Sequence, residues 1–375
     1  MEASRENLKI VLTGGGSGGH VYPLIAVVEA ISKMAIQEKR IVELHYLGPK
    51  DEWSERLKSF GIETHSIIGA KLRRYFSPLN FFDFFKFFIG LVQALGKLLF
   101  LMPDVIFSKG GTGGLAVIIA GWFYRIPIVI HESDAVPGAT NSASAKFASK
   151  ICVSFDAALA HFNPKKTILT GNPIRSEILG DLMMQRDAKE HLGFNPAGSF
   201  TLILGGSQGS ERINNFILSN LEAILKETQV LHQTGRNNYE EVRRLSQTFD
   251  KSRYKALLYL EKELKAALTA ADLVISRAGS GVIFEAAALG KPMLLIPLKG
   301  SANDHQRANA YEVMKTGAAV VIEEQNLLGT IFLNQLRQIL SNPDVSNKMS
   351  AAARQFFKPS AAEVIAREIF GLAIK

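Results

Sequence analysis

IVLTGGGSGGH, residues 10–20, reads as a buried β-strand that runs directly into a glycine loop and a helix start. LILGGSQGSERIN, residues 202–214, repeats that plan in the second half of the chain. Working outward from these two units, the same alternation continues. LKIVLTG (8–14), VELHYLG (42–48), DVIFSKG (104–110), IPIVIHE (126–132) and KICVSF (150–155) form a first series of apolar runs. FTLILGG (200–206), TQVLHQTG (228–235), ALLYL (256–260), DLVISRAG (272–279) and PMLLIP (292–297) form a second. Continuous apolar strands separated by helix-length segments specify parallel sheets covered on both faces. The expected fold class is α/β: two Rossmann-like parallel-sheet domains facing across a cleft, with ligands at the carboxyl ends of the strands. GNPIRSE (171–177) is the natural joint, dividing residues 1–172 from 173–358. The closing stretch SAAEVIAREIFGLAIK (360–375) reads as an amphipathic helix, so residues 359–375 are expected to cross back onto the first domain.

Bulk properties agree with a two-domain globular chain. Its 375 residues are 47% hydrophobic and 21% charged, enough to bury two cores. Cys152 is the single cysteine, which excludes an internal disulfide and a CxxC metal site and fits a reducing compartment. MEASRENLKIVLTGGG has no basic leader followed by a long apolar run, so no signal peptide is expected. With 43 basic and 35 acidic residues, the net charge of +8 favours a partner bearing phosphates: a nucleotide or an anionic membrane surface. Zinc-finger, RNP and basic-zipper patterns are missing, so no nucleic-acid partner is expected.

Glycine loops at helix starts offer backbone N–H groups at the positive end of the helix dipole, a cradle for phosphate. GGGSGGH contains GxGxxG through Gly14, Gly16 and Gly19. A dinucleotide site also wants an acidic residue ending the second strand, and here Asp51 and Glu52 are displaced past Pro49. A purely conformational use of the glycines is the bland alternative, and two loops in matching positions weigh against it. Ser207 and Gln208 add side-chain donors at the second loop, suiting the diphosphate of a nucleotide sugar. No DxD motif is present to hold a cation on that diphosphate, so neither a metal nor a cofactor is expected. Arg175 and Arg277 are the candidates for neutralising it. Glu285 either accepts both ribose hydroxyls or is a first-turn glutamate favoured by the dipole. His305 and Gln306 either face the donor sugar or simply begin a solvated helix.

Together the motifs resemble the MurG family of N-acetylglucosaminyltransferases. GGGSGGHVYPLIA, HESDAVPGATN (131–141), LTGNPIR, GGSQGS, HQTG (232–235), SRAGSGVIFEAAALGKP and DHQRANA occur in the family's order over nearly the whole chain. The resemblance implies a GT-B fold and an inverting, metal-independent transfer of N-acetylglucosamine from UDP-N-acetylglucosamine. It implies as acceptor the 4-hydroxyl of undecaprenyl-diphosphate-linked muramyl pentapeptide, met by a peripheral enzyme on the cytoplasmic face of an anionic inner membrane. Carried over by motif, the donor-binding positions are Ser17, Gly18, Gly19, Arg175, Ser207, Gln208, Glu285 and Gln306, with Leu260, Glu261 and Leu264 beside the uracil; Ser280, Gly281 and His305 are further candidate substrate contacts. His20 matches the residue proposed in the family as general base; a helix-capping or donor-orienting histidine is the other reading.

Two departures from the family pattern stand out. HESD replaces the common HEQN, putting Asp134 where an asparagine amide would contact the donor sugar, as a hydroxyl clamp or as a second candidate base. GGTGGLAV (110–117) replaces an aromatic with Thr112. LNFFDFFKFFIGLVQALGKLLFLM (79–102) is the most apolar stretch, yet its charged residues leave no uninterrupted membrane span. Phe81, Phe84, Phe85 and Phe88, rimmed by Arg73 and Arg74, read as an interfacial membrane patch, whereas 89–102 reads as an ordinary helix packed on the first sheet. Competing readings are a related glycosyltransferase with another lipid acceptor, a UDP-N-acetylglucosamine epimerase, and a non-catalytic nucleotide-sugar-binding regulator.

Overall fold

The computed structural model describes residues 7–16, 18–70, 79–206 and 209–374. Two compact units result: residues 1–175 with 358–375, and residues 176–357. In the first, seven parallel strands are β1 Asn7–Gly15, β2 Ile41–Gly48, β3 Glu63–Ser66, β4 Val105–Gly111, β5 Ile128–Glu132, β6 Lys150–Val153 and β7 Thr167–Leu169. Their spatial order, β3-β2-β1-β4-β5-β6-β7, reverses direction between β1 and β4. The helix Gly18–Gln37 lays Val21, Leu24, Val28 and Ile31 on one face of the sheet, and the closing helix Ala361–Ala373 adds Ile365, Ala366, Ile369 and Phe370 to the same core. On the other face Ala94 and Leu98 of the helix Leu79–Leu101 join Val117 and Ile118 of the helix Gly114–Phe123.

The second unit repeats this design with six parallel strands: β8 Phe200–Leu204, β9 Gln229–Gln233, β10 Tyr254–Leu257, β11 Leu273–Ser276, β12 Met293–Leu295 and β13 Ala319–Val321. The order is β10-β9-β8-β11-β12-β13, so its reversal lies between β8 and β11. Both glycine loops therefore follow the strand at the reversal, where a crevice opens beyond the carboxyl ends of an open sheet.

All ten apolar runs contain strands. The three strands without such a run, β3, β7 and β13, stand at sheet edges and are three or four residues long. An edge strand has one neighbour and less need of apolar side chains, which explains why ETHS at β3 carries no strand signature.

Candidate active site

In the first unit two glycine turns meet. Gly14 has φ 125° and Gly111 φ 78°. A Cβ on Gly14 would lie 2.9 Å from the Gly110 carbonyl oxygen, and one on Gly111 would lie 2.5 Å from that of Gly15. Only residues without a side chain let the loops after β1 and β4 pass so closely. Tyr46 Oη donates to the Gly14 carbonyl at 3.0 Å and fixes the loop from below. The helix that follows begins at Gly18, placing Gly19 and a half-exposed His20 in its first turn. Two residues further along, Tyr22 carries the Arg175 guanidinium 4.4 Å from its ring centroid and meets Trp53 edge-on at 5.8 Å.

Beneath Gly14 lies a buried charged cluster that the sequence reading missed. Lys109 Nζ is 2.6 Å from His131 Nδ1 and donates to Ser133 Oγ. His131 Nε2 faces the Gly171 carbonyl at 3.1 Å. These partners select a neutral imidazole, with the proton on Nε2 and the Nδ1 lone pair on the ammonium. Burial, then the lysine charge, holds His131 well below the ordinary histidine pKa. Burial lowers Lys109 to about 8, opposed by the charges of Glu132 and Asp134. Glu132 ends β5 and turns inward, accepting from the backbone of Asp134 and Gly138 at 3.0 Å each and from Asn141 Nδ2 at 2.9 Å. It braces the HESD turn, while Asp134 stands one turn on, half-buried. A lysine inside the otherwise apolar run DVIFSKG was the available signal for this cluster.

The second unit's loop rests on neutral groups. Gly209 has φ 91°, and a Cβ there would strike the Thr234 carbonyl oxygen. Gln233 donates to the Gly206 carbonyl at 3.1 Å and accepts the Leu260 N–H at 2.9 Å, tying the glycine loop to the segment after β10. His232, the first residue of HQTG, is a core histidine between Tyr254 Oη at 2.9 Å and Asn214 Oδ1 at 3.0 Å; burial lowers its pKa to about 3. Leu260 and Leu264 are buried and Glu261 is exposed. Ser280 and Gly281 open the helix Ser280–Ala288, and Glu285 sits buried in its second turn, so a first-turn dipole role does not account for it. Asn309 Nδ2 donates to the Ala278 carbonyl at 3.2 Å, linking this turn to the helix His305–Lys315. At that helix start Gln306 Oε1 accepts the Leu298 N–H at 3.0 Å.

Arg277 is ion-paired inside the second unit. Its guanidinium pairs with Glu324 at 2.5 Å and donates to Ser210 Oγ at 2.7 Å and the Ile296 carbonyl at 3.2 Å. Its charge is compensated inside the unit, where it braces the loop. Ser17, Ser207, Gln208, Arg73 and Arg74 lie outside the described residues.

Residues 10–153 match the glycosyltransferase family 28 N-terminal domain, and residues 200–365 match that family's C-terminal domain. A Clostridium botulinum (strain Alaska E43) UDP-N-acetylglucosamine–N-acetylmuramyl-(pentapeptide) pyrophosphoryl-undecaprenol N-acetylglucosamine transferase is 40% identical over 336 residues, 89% of this chain and 90% of that one. The crystal structure of Acinetobacter baumannii MurG aligns with a TM-score of 0.74 at 25% identity, covering 97% of this chain and 99% of that one. The chain belongs to the MurG family. Its two Rossmann-like units are those of a GT-B glycosyltransferase. A UDP-GlcNAc 2-epimerase from Neisseria meningitidis, solved with UDP-GlcNAc bound, aligns with a TM-score of 0.70 at 13% identity over 97% of this chain and 100% of that one, a likeness of fold.

Both departures from the MurG pattern fall around the first loop. A Cβ on Gly16 would lie 3.5 Å from Thr112 Oγ1, so Thr112 lines the loop itself. Ser133 accepts from Lys109, and the Asp134 charge acts on the same ammonium. The acidic residue is thus balanced locally by a buried cation.

Proposed function

We propose that the chain transfers N-acetylglucosamine from UDP-N-acetylglucosamine to the 4-hydroxyl of lipid-linked N-acetylmuramyl pentapeptide, the activity named for its 40% identical relative. The single observation that carries this reading is a glycine loop at the reversal point of each sheet in a MurG-family chain. The acceptor oxygen attacks C1 of the sugar, the C1–O bond to UDP breaks, and the configuration inverts. His20, in the first turn after the first loop, takes the hydroxyl proton. Asp134 clamps a sugar hydroxyl, as an ionised carboxylate can only accept. In the second unit, backbone N–H groups at the helix start stabilise the departing diphosphate without a metal ion. Glu285 accepts the ribose hydroxyls, and the segment at Leu260, Glu261 and Leu264 borders the uracil.

A lipid acceptor calls for a membrane-facing surface. Phe81, Phe82, Phe84, Phe85 and Phe88 are all exposed on the helix Leu79–Leu101. Residues 89–101 pack on the first sheet through Leu91, Ala94, Leu95, Leu98 and Leu101, and the apolar exposure continues along their outer side: Ile89, Val92, Leu99 and Phe100 face solvent, Phe100 at 87%. Only Gly90, Ala94 and Leu98 are buried along that half, and Gln93 Oε1 accepts the Ile68 N–H at 2.7 Å. By length and composition Phe81–Leu101 is apolar enough to cross a membrane. The packing of its inner side supports instead a helix lying along the interface, holding the enzyme peripherally on the cytoplasmic membrane face.

The test supplies untagged protein with radiolabelled UDP-N-acetylglucosamine and a short-chain muramyl-pentapeptide lipid analogue, in chelator. Label is expected in the lipid. Label recovered as an altered free sugar nucleotide, with or without acceptor, supports the epimerase reading instead.

A further inference from the structure

We propose that His45, Glu63 and His65 form a binding site for a zinc-like divalent metal ion at the outer edge of the first sheet. The parallel register of β2 and β3 sets His45 opposite Glu63 and Leu47 opposite His65. Residues 63 and 65 point to one face of β3, so all three side chains converge. His45 Nδ1 lies 3.2 Å from His65 Nε2 and 3.3 Å from Glu63 Oε2, and His65 Nε2 lies 3.5 Å from Glu63 Oε1. In a tetrahedral site with metal–ligand bonds of about 2.0–2.1 Å, adjacent donor atoms are separated by about 3.3 Å. The His45–His65 and His45–Glu63 separations match two edges of such a tetrahedron, and one donor atom from each of the three residues lies within 4.8 Å of the other two.

The surroundings suit the same assignment. His45 is 7% exposed, and its Nε2 has no hydrogen-bond partner. A metal on Nδ1 puts the remaining proton on Nε2, which points toward Glu43 Oε2 at 3.8 Å. That carboxylate is the outer partner that metal-bound histidines commonly have. The charge of Lys97 opposes a cation here, and the carboxylates of Glu43 and Glu63 offset it. Two nitrogens and one carboxylate oxygen suit zinc, with water as the fourth ligand. The ion would pin the four-residue edge strand β3 to β2, two strands removed from β4, and has no part in the transfer reaction.

The experiment titrates chelator-stripped, untagged full-length protein with cobalt(II), followed by zinc. One equivalent of cobalt should develop the visible absorption of a four-coordinate ion, and zinc should abolish it. His65→Ala and Glu63→Gln, both at accessible side chains, should weaken binding by at least about tenfold. Zinc should raise the Tm of the parent but not of these variants. Circular dichroism and a cooperative unfolding transition like the parent's serve as the check that the metal-free variants are folded. Absence of stoichiometric binding at micromolar metal, or undiminished binding in His65→Ala, overturns the site.

Discussion

The two units share a strand, a glycine loop and a helix at the reversal of a parallel sheet, yet the ground beneath the loops differs. Under the first loop lie Lys109, His131, Glu132 and Asp134, a set of ionisable groups with the lysine and histidine held away from their ordinary pKa values. Under the second lie His232 held neutral, Asn214, Gln233 and Thr234, and the nearby Arg277 is neutralised by Glu324. An ionisable, partly desolvated environment tunes proton transfer. A neutral, fully bonded one holds backbone donors rigidly in place for a charged ligand. On the proposed function, this difference suits the first unit to proton transfer and the second to donor recognition.

The largest expected effects come from one glycine in each loop. Gly14→Ala and Gly209→Ala each force a positive-φ alanine into a backbone oxygen, at a cost of roughly 3 kcal/mol or more. If the division of labour holds, Gly209→Ala removes UDP binding, whereas Gly14→Ala lowers turnover with UDP affinity kept. Calorimetric titration with UDP separates them, and equal loss of UDP binding in both breaks the comparison.

A pH series sharpens it. The folded first unit holds the Lys109 proton less firmly than the unfolded chain does, so the unfolded state binds more protons between pH about 8 and the ordinary lysine value. The cost of burying this charge is full below pH 8 and is relieved as pH rises through that window. Denaturant unfolding at several pH values should therefore show parent stability rising relative to Lys109→Met above pH 8. A pH-independent difference would show that Lys109 is not a desolvated cation.

Smaller still is the expected effect of the membrane face on chemistry. Changing Phe84, Phe85 and Phe88 to serine should reduce co-sedimentation with anionic liposomes severalfold and leave UDP binding unchanged. Aggregation or unfolding of that variant would mark these rings as core.

What was legible in the sequence follows burial. Central strands are apolar on both faces, so β1, β4, β5, β8 and β11 announce themselves, and with them the loops they feed. Edge strands β3, β7 and β13 carry no such pattern. Side-chain partnerships across strands were also hidden: Lys109 and His131 meet only because β4 pairs with β5, and Arg277 finds Glu324 from 47 positions away. The phenylalanine run was plain, but which side of residues 89–102 faces outward depends on Gly90 meeting Ile68 and Gln93 bonding its N–H, neither visible in one dimension.

One measurement bears most directly on the division between the units: single-turnover rate and donor affinity, determined separately for His20→Ala and Glu285→Ala. The account predicts that His20→Ala loses on the order of 10²–10⁴ in rate at saturating donor with affinity nearly unchanged. It predicts that Glu285→Ala loses about 1.5–3 kcal/mol of donor binding, consistent with hydrogen bonds to a charged group. A His20→Ala enzyme that binds donor poorly but turns over normally once saturated would contradict it.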